Sequence, residues 1–229
     1  MKTIGIIGGM SWESTTTYYQ LINQEIKKRL GELHSAKIIL VSVDFHEIEQ
    51  CQSSGDWDKA GEILVKAAQS LQKAGADFIV IATNTMHKVA PIIEEKVKCP
   101  ILHIVDATAN VLKSSQINRV ALLGTSYTMK QDFYKNRLIA NGIEVIIPND
   151  DEIELINNII YNELCVGINL DSSRKQFVRI IENLADKGVC AVILGCTEIG
   201  LLISDKDTKL PIFDTTKIHA IAAVDCALS

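Results

Sequence analysis

Residues 78–85 read Phe-Ile-Val-Ile-Ala-Thr-Asn-Thr, and residues 191–198 read Ala-Val-Ile-Leu-Gly-Cys-Thr-Glu. Each stretch is a short, continuous apolar run that ends on small polar residues. Continuous apolar runs are typical of parallel strands that are buried on both faces of a sheet. Open α/β sheets bind their ligands beyond the carboxyl ends of such strands. The two stretches therefore predict an α/β fold with ligand chemistry near Thr83 and Cys196.

Helical and strand patterns alternate along the rest of the chain, which strengthens the α/β prediction. Further strands are predicted at residues 3–7, 37–43, 101–104, 120–123, 144–147 and 212–213. Helices are predicted at residues 13–30, 58–75, 85–97, 127–141, 151–165, 172–187 and from 215 onward. Residues 49–59 are polar and are expected to form a loop.

The two halves of the chain share a spacing between motifs. Gly8 precedes Thr83 by 75 residues, and Gly124 precedes Cys196 by 72 residues. The matched spacings indicate an internal duplication, so Thr83 and Cys196 are expected at equivalent places in two pseudo-symmetric lobes. The first lobe is expected at residues 1–113 plus 212–229, and the second at residues 114–211.

Composition excludes several classes of protein. The chain has 229 residues, of which 47% are hydrophobic and 22% charged, and its net charge is -5. An acidic chain lacks the electrostatic footprint of a nucleic-acid binder. No apolar stretch approaches the ~20 residues that a membrane span requires, and the first residues read as a strand and not as a signal peptide. We expect a cytoplasmic protein whose partners include neither nucleic acid nor membrane.

The six cysteines are expected to be free thiols, and no structural metal is expected. None of them forms a Cys-x-x-Cys pair, and no cluster of Cys, His and carboxylates has zinc-ligand spacing. Cys196 differs from the others because Thr197, which follows it, has the residue type of a helix N-cap. A cysteine at a helix N-terminus can have a lowered pKa, which favours its thiolate. A buried structural cysteine in a strand-to-helix turn explains the same residues equally well.

Two other segments carry residues of functional interest. The run Thr83-Asn84-Thr85 leaves a strand with three small polar residues in succession, and helix capping explains one of them but not all three. Gly8-Gly9-Met10 follows the first strand, where glycines allow a ligand to approach the backbone and the next helix offers N–H groups to an anion. The G-x-G-x-x-G spacing is absent. A nucleotide therefore stays an alternative only through Asp44, at the end of the second strand.

Three motifs together resemble the aspartate/glutamate racemase family. They are Ile-Gly-Ile-Ile-Gly-Gly-Met-Ser-Trp-Glu-Ser-Thr at residues 4–15, Thr-Asn-Thr-Met-His at residues 83–87 and Gly-Cys-Thr-Glu at residues 195–198. The resemblance implies two Rossmann-like lobes with a cleft between them, and catalysis without pyridoxal phosphate, metal or nucleotide. It also implies two cysteines, one in each lobe, on opposite faces of the substrate's Cα. One thiolate removes the α-proton, and the other thiol returns a proton.

The sequence departs from this family pattern at two positions. Thr83 stands where the family usually has its first-lobe cysteine, while Cys196 matches the second, and a Thr hydroxyl is a far weaker acid than a thiol. We therefore expect racemisation of amino acids of the aspartate/glutamate class, or a broader set, that is asymmetric toward the two enantiomers. Cys165 stands where some relatives carry a lysine that could pair with a substrate carboxylate. A buried helix residue explains Cys165 equally well.

Residues near the ends of the predicted strands are candidate substrate contacts. Asn84, Thr85 and Thr197 are candidate donors to the α-carboxylate. Gln52 is a candidate substrate contact, but it would equally fit a solvated residue in a polar loop. Asp44 and Glu198 either orient acid–base partners or cap helices. The full set of candidate substrate-binding residues is Met10, Gln52, Asn84, Thr85, Thr125, Thr128, Cys165, Thr197 and Glu198.

Two other functions stay open at this point. A single-cysteine decarboxylase of the same superfamily needs to protonate only one face of its substrate, which Thr83 opposite Cys196 would suit. An amino-acid-binding protein that has kept the cleft and lost the activity also fits. Racemisation ranks first, since a module that only binds has no need of the Cys196 thiol. The expected partners are a small amino-acid substrate and a second copy of the chain in a homodimer.

Overall fold

A computed structural model describes residues 1–229 and divides the chain into two compact lobes. The first lobe comprises Met1–Ile104 and His219–Ser229, and the second comprises Val105–Ile218. Each lobe is an α/β unit with its own parallel sheet, as the sequence predicts. No helix in either lobe has both the length and the hydropathy that a bilayer-spanning segment needs.

Three strands and their connecting helices form the first lobe. Its elements are β1 (Ile4–Gly8), α1 (Trp12–Leu30), β2 (Ile38–Ser42), α2 (Phe45–Ser54), α3 (Trp57–Lys73), β3 (Phe78–Ile81), a 3₁₀ helix (Thr85–Val89) and α4 (Ala90–Glu94). β1 lies in the centre and pairs in parallel with β2 on one side and β3 on the other. The carboxyl ends of the three strands therefore meet at one edge of the sheet.

Strands β1 and β3 of this sheet are buried on both faces, as continuous apolar strands predict. Ile7 and Ile81 pack against helix α3 on one face. Ile6 and Val80 pack on the other face against helix α1 and residues 220–227 near the C-terminus. Successive residues of one strand thus enter two different cores. Polar side chains can follow these strands but cannot lie within them.

The second lobe repeats this arrangement and adds a strand. Its elements are α5 (Ile104–Ser114), β4 (Arg119–Gly124), α6 (Ser126–Lys130), α7 (Asp132–Ala140), β5 (Glu144–Ile146), α8 (Asp150–Asn162), a 3₁₀ helix (Leu164–Val166), α9 (Asp171–Ala185), β6 (Ala191–Gly195), α10 (Ile199–Leu202), β7 (Ile212–Asp214) and the start of α11 (Thr215–Leu228), which belongs to the first lobe from His219 onward. The strand order is β5-β4-β6-β7, and all neighbours are parallel. β4 takes the place in this sheet that β1 takes in the first.

The strand registers place Thr83 and Cys196 at equivalent positions in their sheets. In the first sheet Ile7 is opposite Ile81, so Gly8 is level with Ala82. In the second sheet Gly124 is opposite Gly195. Thr83 and Cys196 are each the next residue along the chain. The equivalence that the motif spacing indicates is therefore present in the topology.

Three segments differ from the sequence-based prediction. The strand predicted at residues 101–104 is only an isolated bridge between Ile101 and Ile79, and helix α5, which the pattern did not predict, begins at Ile104. A four-residue apolar run cannot distinguish a strand from the buried start of a helix. The polar stretch at residues 49–59 is helical, because it holds the end of α2 and the start of α3. Polar residues there cover the outer faces of two helices.

The lobe boundaries lie at 104/105 and 218/219, whereas the sequence pattern predicts them at 113/114 and 211/212. The shift has a structural reason at each place. Helix α5 belongs wholly, apart from its first residue, to the second lobe. Strand β7, predicted from the sequence to return to the first lobe, pairs with β6 in the second sheet. Only the later part of α11 packs in the first lobe.

Candidate active site

Cys196 follows strand β6 and donates a hydrogen bond to a neighbouring carboxylate. All five residues of β6 are buried, and so are Cys196, Thr197 and Glu198. The Cys196 Sγ lies 3.0 Å from Glu198 Oε2, and the Thr197 hydroxyl donates to the same oxygen at 2.6 Å. A buried carboxylate oxygen thus accepts two hydrogen bonds from the two residues that precede it. The thiol has a base in direct contact.

The environment of Cys196 keeps its thiol protonated. Burial raises the pKa of Cys196 well above its usual value, and the charges of Glu198 and of Cys165 raise it further. A helix N-terminus is one predicted cause of a lowered pKa at Cys196, but the pKa of Cys196 is raised. Helix α10 has only four residues and begins three residues after Cys196, so its dipole is small.

The capping roles considered for three residues have different outcomes. Glu198, and not Thr197, occupies the N-cap position of α10, and its side chain makes no capping bond. Its carboxylate faces Cys196 and Thr197 instead. Asp44 is a cap, because its side chain accepts a hydrogen bond of 3.0 Å from the His46 amide at the start of α2. Of the two carboxylates, only Glu198 contacts a candidate acid–base residue.

Thr83 follows strand β3 and is held through its backbone. Its amide donates to the Ile81 carbonyl at 2.8 Å, and its carbonyl is 2.8 Å from Nδ1 of His87. The Ile104 amide donates to Nε2 of His87 at 3.2 Å. Since Nε2 accepts, Nδ1 carries the proton and donates it to the Thr83 carbonyl. Thr83 itself is half-buried, while Asn84 and Thr85 beside it are buried.

A buried cluster of histidines lies behind Thr83. The rings of His87 and His103 are 4.5 Å apart, and those of His87 and His219 are 5.7 Å apart. His219 donates from Nε2 to the Leu102 carbonyl at 2.7 Å, so its Nδ1 accepts from the Tyr18 hydroxyl at 2.9 Å. Burial lowers the pKa of His219 to about 4 and that of His87 well below its usual value. Both rings are neutral at pH 7.

Sequence reasoning missed this cluster because its members come from distant segments. Tyr18 lies on α1, His87 in the 3₁₀ helix, His103 before α5 and His219 on α11. No periodicity or local motif connects them. The one available signal was local composition, since His103 and His219 fall within otherwise apolar stretches and a buried histidine needs hydrogen-bond partners.

The first-lobe candidates Met10 and Gln52 are both buried. Gln52 lies on helix α2, and its Nε2 donates to the Met86 sulfur at 3.0 Å. Its alternative as a solvated loop residue is therefore wrong. Gly9 has a φ of 92°, and a Cβ there would collide with the carbonyl of Val43. The glycine thus lets the chain pass the end of β2, which is a use different from ligand approach.

The second-lobe candidates lie around the ends of β4 and β6. Thr125 caps helix α6 by accepting from the Thr128 amide at 3.3 Å, and both residues are buried. A Cβ added to Gly195 would be 3.2 Å from Thr128 Cγ2, so Thr128 packs beside the residue before Cys196. Cys165 is half-exposed in a 3₁₀ turn, which rules out the buried-helix explanation, and its electrostatic interaction with Cys196 contributes to the raised pKa of that thiol.

The candidates thus form one group in each lobe. Thr83, Asn84, Thr85, Met10 and Gln52 belong to the first lobe, and Cys196, Thr197, Glu198, Cys165, Thr125 and Thr128 to the second. Nowhere in the chain do three or more His, Cys, Asp or Glu side chains converge as a metal ion would need. Thr83 and Cys196 stand at equivalent strand ends in the two groups.

Two α/β lobes, each with a parallel sheet and such a strand end, define a class of protein, and comparison with known families identifies it. The chain belongs to the Asp/Glu/Hydantoin racemase family, whose model matches residues 7–223.

Solved structures and a curated relative agree with this assignment. A crystal structure from Yersinia pestis, provisionally described as an Asp/Glu racemase, is 56% identical over 100% of both chains with a TM-score of 0.94. An aspartate racemase homologue from Pyrococcus horikoshii is 37% identical, also over 100% of both chains, with a TM-score of 0.85. The broad specificity amino-acid racemase RacX of Bacillus subtilis is 23% identical over 99% of this chain and 98% of its own length.

Proposed function

We propose that this protein racemises amino acids without a cofactor, with Cys196 and Thr83 acting on opposite faces of the substrate's Cα. The observation that carries the proposal is the buried contact between the Cys196 thiol and the Glu198 carboxylate. A thiol in contact with a buried base can become a thiolate when it is needed, which is what an acid–base cysteine requires. Membership of an amino-acid racemase family supports the substrate class.

On the Cys196 side, the proton moves in two steps. Glu198 first takes the thiol proton, so that the pair becomes a thiolate beside a carboxylic acid. The thiolate then takes the α-proton and leaves a carbanion on the substrate. The α-ammonium group of a bound amino acid favours this, because a nearby positive charge offsets the burial and the negative charge that otherwise raise the pKa of Cys196.

On the Thr83 side, the carbanion receives a proton on its opposite face. The Thr83 hydroxyl, or a water held by it, is the donor, and in the reverse direction that side must remove the α-proton of the other enantiomer. A hydroxyl is much harder to deprotonate than a thiol. A racemase has an equilibrium constant of one, so this slow side limits inversion in both directions. Exchange of the α-proton through Cys196 alone stays fast.

The remaining polar residues bind the substrate in this proposal. Asn84 and Thr85 donate hydrogen bonds to its α-carboxylate, and Thr197 does so through its backbone N–H, since its hydroxyl donates to Glu198. The other contacts are Met10, Gln52, Thr125, Thr128, Cys165 and Glu198. Cys165 supplies no cation for a side-chain carboxylate, so substrates broader than aspartate and glutamate are accepted. The printed name of the Bacillus subtilis relative, a broad specificity racemase, is in keeping with this.

The family match favours racemisation over the decarboxylase and the inactive binding protein. A cytoplasmic homodimer is part of the proposal as well. Sedimentation equilibrium tests the dimer: a mass of one chain across the micromolar range would contradict it.

Proton NMR of L- and D-glutamate and aspartate in D₂O, with optical rotation in parallel, tests the activity. We expect α-proton loss from one enantiomer to outrun inversion. Cys196→Ser should reduce that loss by ~10³-fold or more. Cys190→Ser, which changes an exposed cysteine of the same lobe, should leave it unchanged. Absence of exchange with all four substrates and a further panel of amino acids, in folded protein, would reject the proposal.

A further inference from the structure

We propose that His87 is a positioning residue for Thr83, and that it acts by clamping the Thr83 carbonyl to the Ile104 amide through its neutral ring. The inference rests on the proposed function, in which Thr83 faces the substrate. His87 belongs to a recognisable motif, but that motif alone assigns it no role. The contacts of the ring supply one.

Both nitrogens of the His87 ring are occupied by backbone groups. Nδ1 donates to the Thr83 carbonyl at 2.8 Å, and Nε2 accepts from the Ile104 amide at 3.2 Å. The two partners lie in different segments of the chain, since Thr83 follows β3 and Ile104 begins α5. The ring therefore links the residue that follows β3 to the first residue of α5, which no backbone hydrogen bond of the sheet joins.

The occupied nitrogens exclude His87 as an acid or base for Thr83. Its Nδ1 proton goes to the carbonyl of Thr83 and not to the hydroxyl. The groups that act electrostatically on the ring are His103 and His219, both histidines, and together with burial they lower the pKa of His87. The ring thus keeps one tautomer and one pair of bonds across the neutral pH range.

The clamp restricts the direction of the Thr83 hydroxyl. The Thr83 amide is bonded to the Ile81 carbonyl and the Thr83 carbonyl to His87, so the backbone is held on both sides. The side chain then has only its χ1 rotamers to choose from, and β-branching limits those. The Thr83 hydroxyl is a weak acid, so the rate of proton transfer through it depends strongly on how it is positioned toward the substrate.

The Cys196 end lacks this device. His87 follows Thr83 by four residues, and the residue four positions after Cys196 is Gly200, which has no side chain. The Cys196 carbonyl accepts instead from the Ile199 amide at 3.2 Å. The clamp is therefore specific to the strand end that has the weaker acid.

Two substitutions separate the two bonds of the ring. In His87→Asn the amide nitrogen can take the place of Nδ1 and donate to the Thr83 carbonyl. In His87→Gln the amide oxygen can take the place of Nε2 and accept from Ile104. Each variant loses one buried bond, so both should lose stability to a similar degree. Only His87→Gln should release Thr83.

The readout is the ratio of inversion to α-proton exchange, measured in D₂O for the enantiomer that Cys196 deprotonates. We expect His87→Gln to lower this ratio at least 10-fold, with exchange through Cys196 within about 2-fold of the wild type. His87→Asn should keep the ratio within about 3-fold. Equal ratios in the two variants would overturn the proposal, and equal melting temperatures would show that stability is not the cause.

A second measurement distinguishes failure of the clamp from failure of the proposed function. The carbonyl ¹³C shift of Thr83 reports its hydrogen bond whether or not the protein turns over any substrate. It should move in His87→Gln and stay in His87→Asn. If it moves in both or in neither, the clamp is wrong. If it behaves as expected while the wild type exchanges no α-proton, only the proposed function is wrong.

Discussion

The ends of strands β3 and β6 occupy equivalent positions in their sheets and are built in different ways. At the end of β6, the Cys196 thiol donates to the buried Glu198 carboxylate at 3.0 Å, so the acidic group has its own base. At the end of β3, the Thr83 carbonyl accepts from His87 at 2.8 Å, so what is secured there is the backbone. One end controls protonation, and the other controls position.

This difference shows how a duplicated topology can carry unequal chemistry. The shared sheet order places a functional residue after each strand, because the strands themselves must be apolar. What each residue can do is then set by its neighbours, which come from other parts of the chain. In the second lobe the decisive neighbour is two residues away. In the first lobe the residues around His87 include Tyr18 and His219, which lie near opposite ends of the chain.

Replacing the base at the Cys196 end should have the largest effect on this comparison. We expect Glu198→Gln to reduce α-proton exchange by ~10²–10³-fold, because an amide cannot take the thiol proton. The negative charge of Glu198 also raises the pKa of Cys196, so its removal should lower that pKa. The pH dependence of thiol alkylation would show its midpoint moving to lower pH.

Glu144→Gln, which changes an exposed carboxylate paired with Arg119 in the same lobe, is the control. It should leave both the exchange rate and the alkylation midpoint in place. If Glu198→Gln left the midpoint where it is in the wild type, the carboxylate would not control the thiol.

Low pH should destabilise the first lobe, which contains the histidine cluster behind Thr83, more than the second lobe, which contains Cys196. All five histidines lie in the first lobe. The pKa of His219 falls from about 6.5 in the unfolded chain to about 4 in the folded one, so below pH 6.5 the unfolded chain binds a proton that the folded chain refuses. Stability should therefore fall by about 1.4 kcal/mol per pH unit from this residue, or about 2 kcal/mol by pH 5, and His87 adds to the loss.

Denaturant unfolding at pH 7, 6 and 5 measures this slope. His219→Gln should lower the free energy of unfolding at pH 7. It should also reduce the slope of that free energy against pH by the amount that corresponds to about one proton. His34→Asn, a change at an exposed histidine of the same lobe, should not alter the slope. A wild-type slope that His219→Gln leaves unchanged would mean that His219 is protonated in the folded chain.

Restoring a thiol at the first strand end should make the two ends more alike. In Thr83→Cys we expect the ratio of inversion to exchange to rise by about 10-fold, since a thiol is a far better acid than a hydroxyl. In Thr83→Ala the ratio should fall, with exchange through Cys196 retained. Little change in Thr83→Ala beside a large loss in Cys196→Ser would show that Thr83 has no catalytic role.

The smallest effect is expected from a carboxylate that only caps a helix. Asp44→Ala should lower the free energy of unfolding by about 1 kcal/mol, because the His46 amide loses its acceptor. The exchange rate per folded molecule should stay within about 2-fold. A loss of exchange comparable to that of Glu198→Gln would place Asp44 in the chemistry and contradict the contrast between the two carboxylates.

The alternation of strands and helices was predictable from the sequence because buried parallel strands leave continuous apolar runs. The matched spacing of Gly8 and Gly124 to the two polar strand ends was predictable for the same reason. Where the run was too short, as at residues 101–104, the prediction failed. The stretch at residues 49–59, expected as a loop but helical, shows a second failure, since a polar stretch with one buried face can look like a loop. The burial of Gln52 on that face has no local signal.

By itself the sequence determined the α/β class, the repeated lobe and the candidate positions Thr83 and Cys196, because these depend on local apolar patterns and on residue order. Only the tertiary structure decided the state of Cys196, whose pKa is raised by burial and by Glu198, and the clamp that His87 places on Thr83. The physical reason is that hydration, charge and hydrogen bonding at a site depend on which distant residues surround it. Those neighbours are assigned when the chain folds.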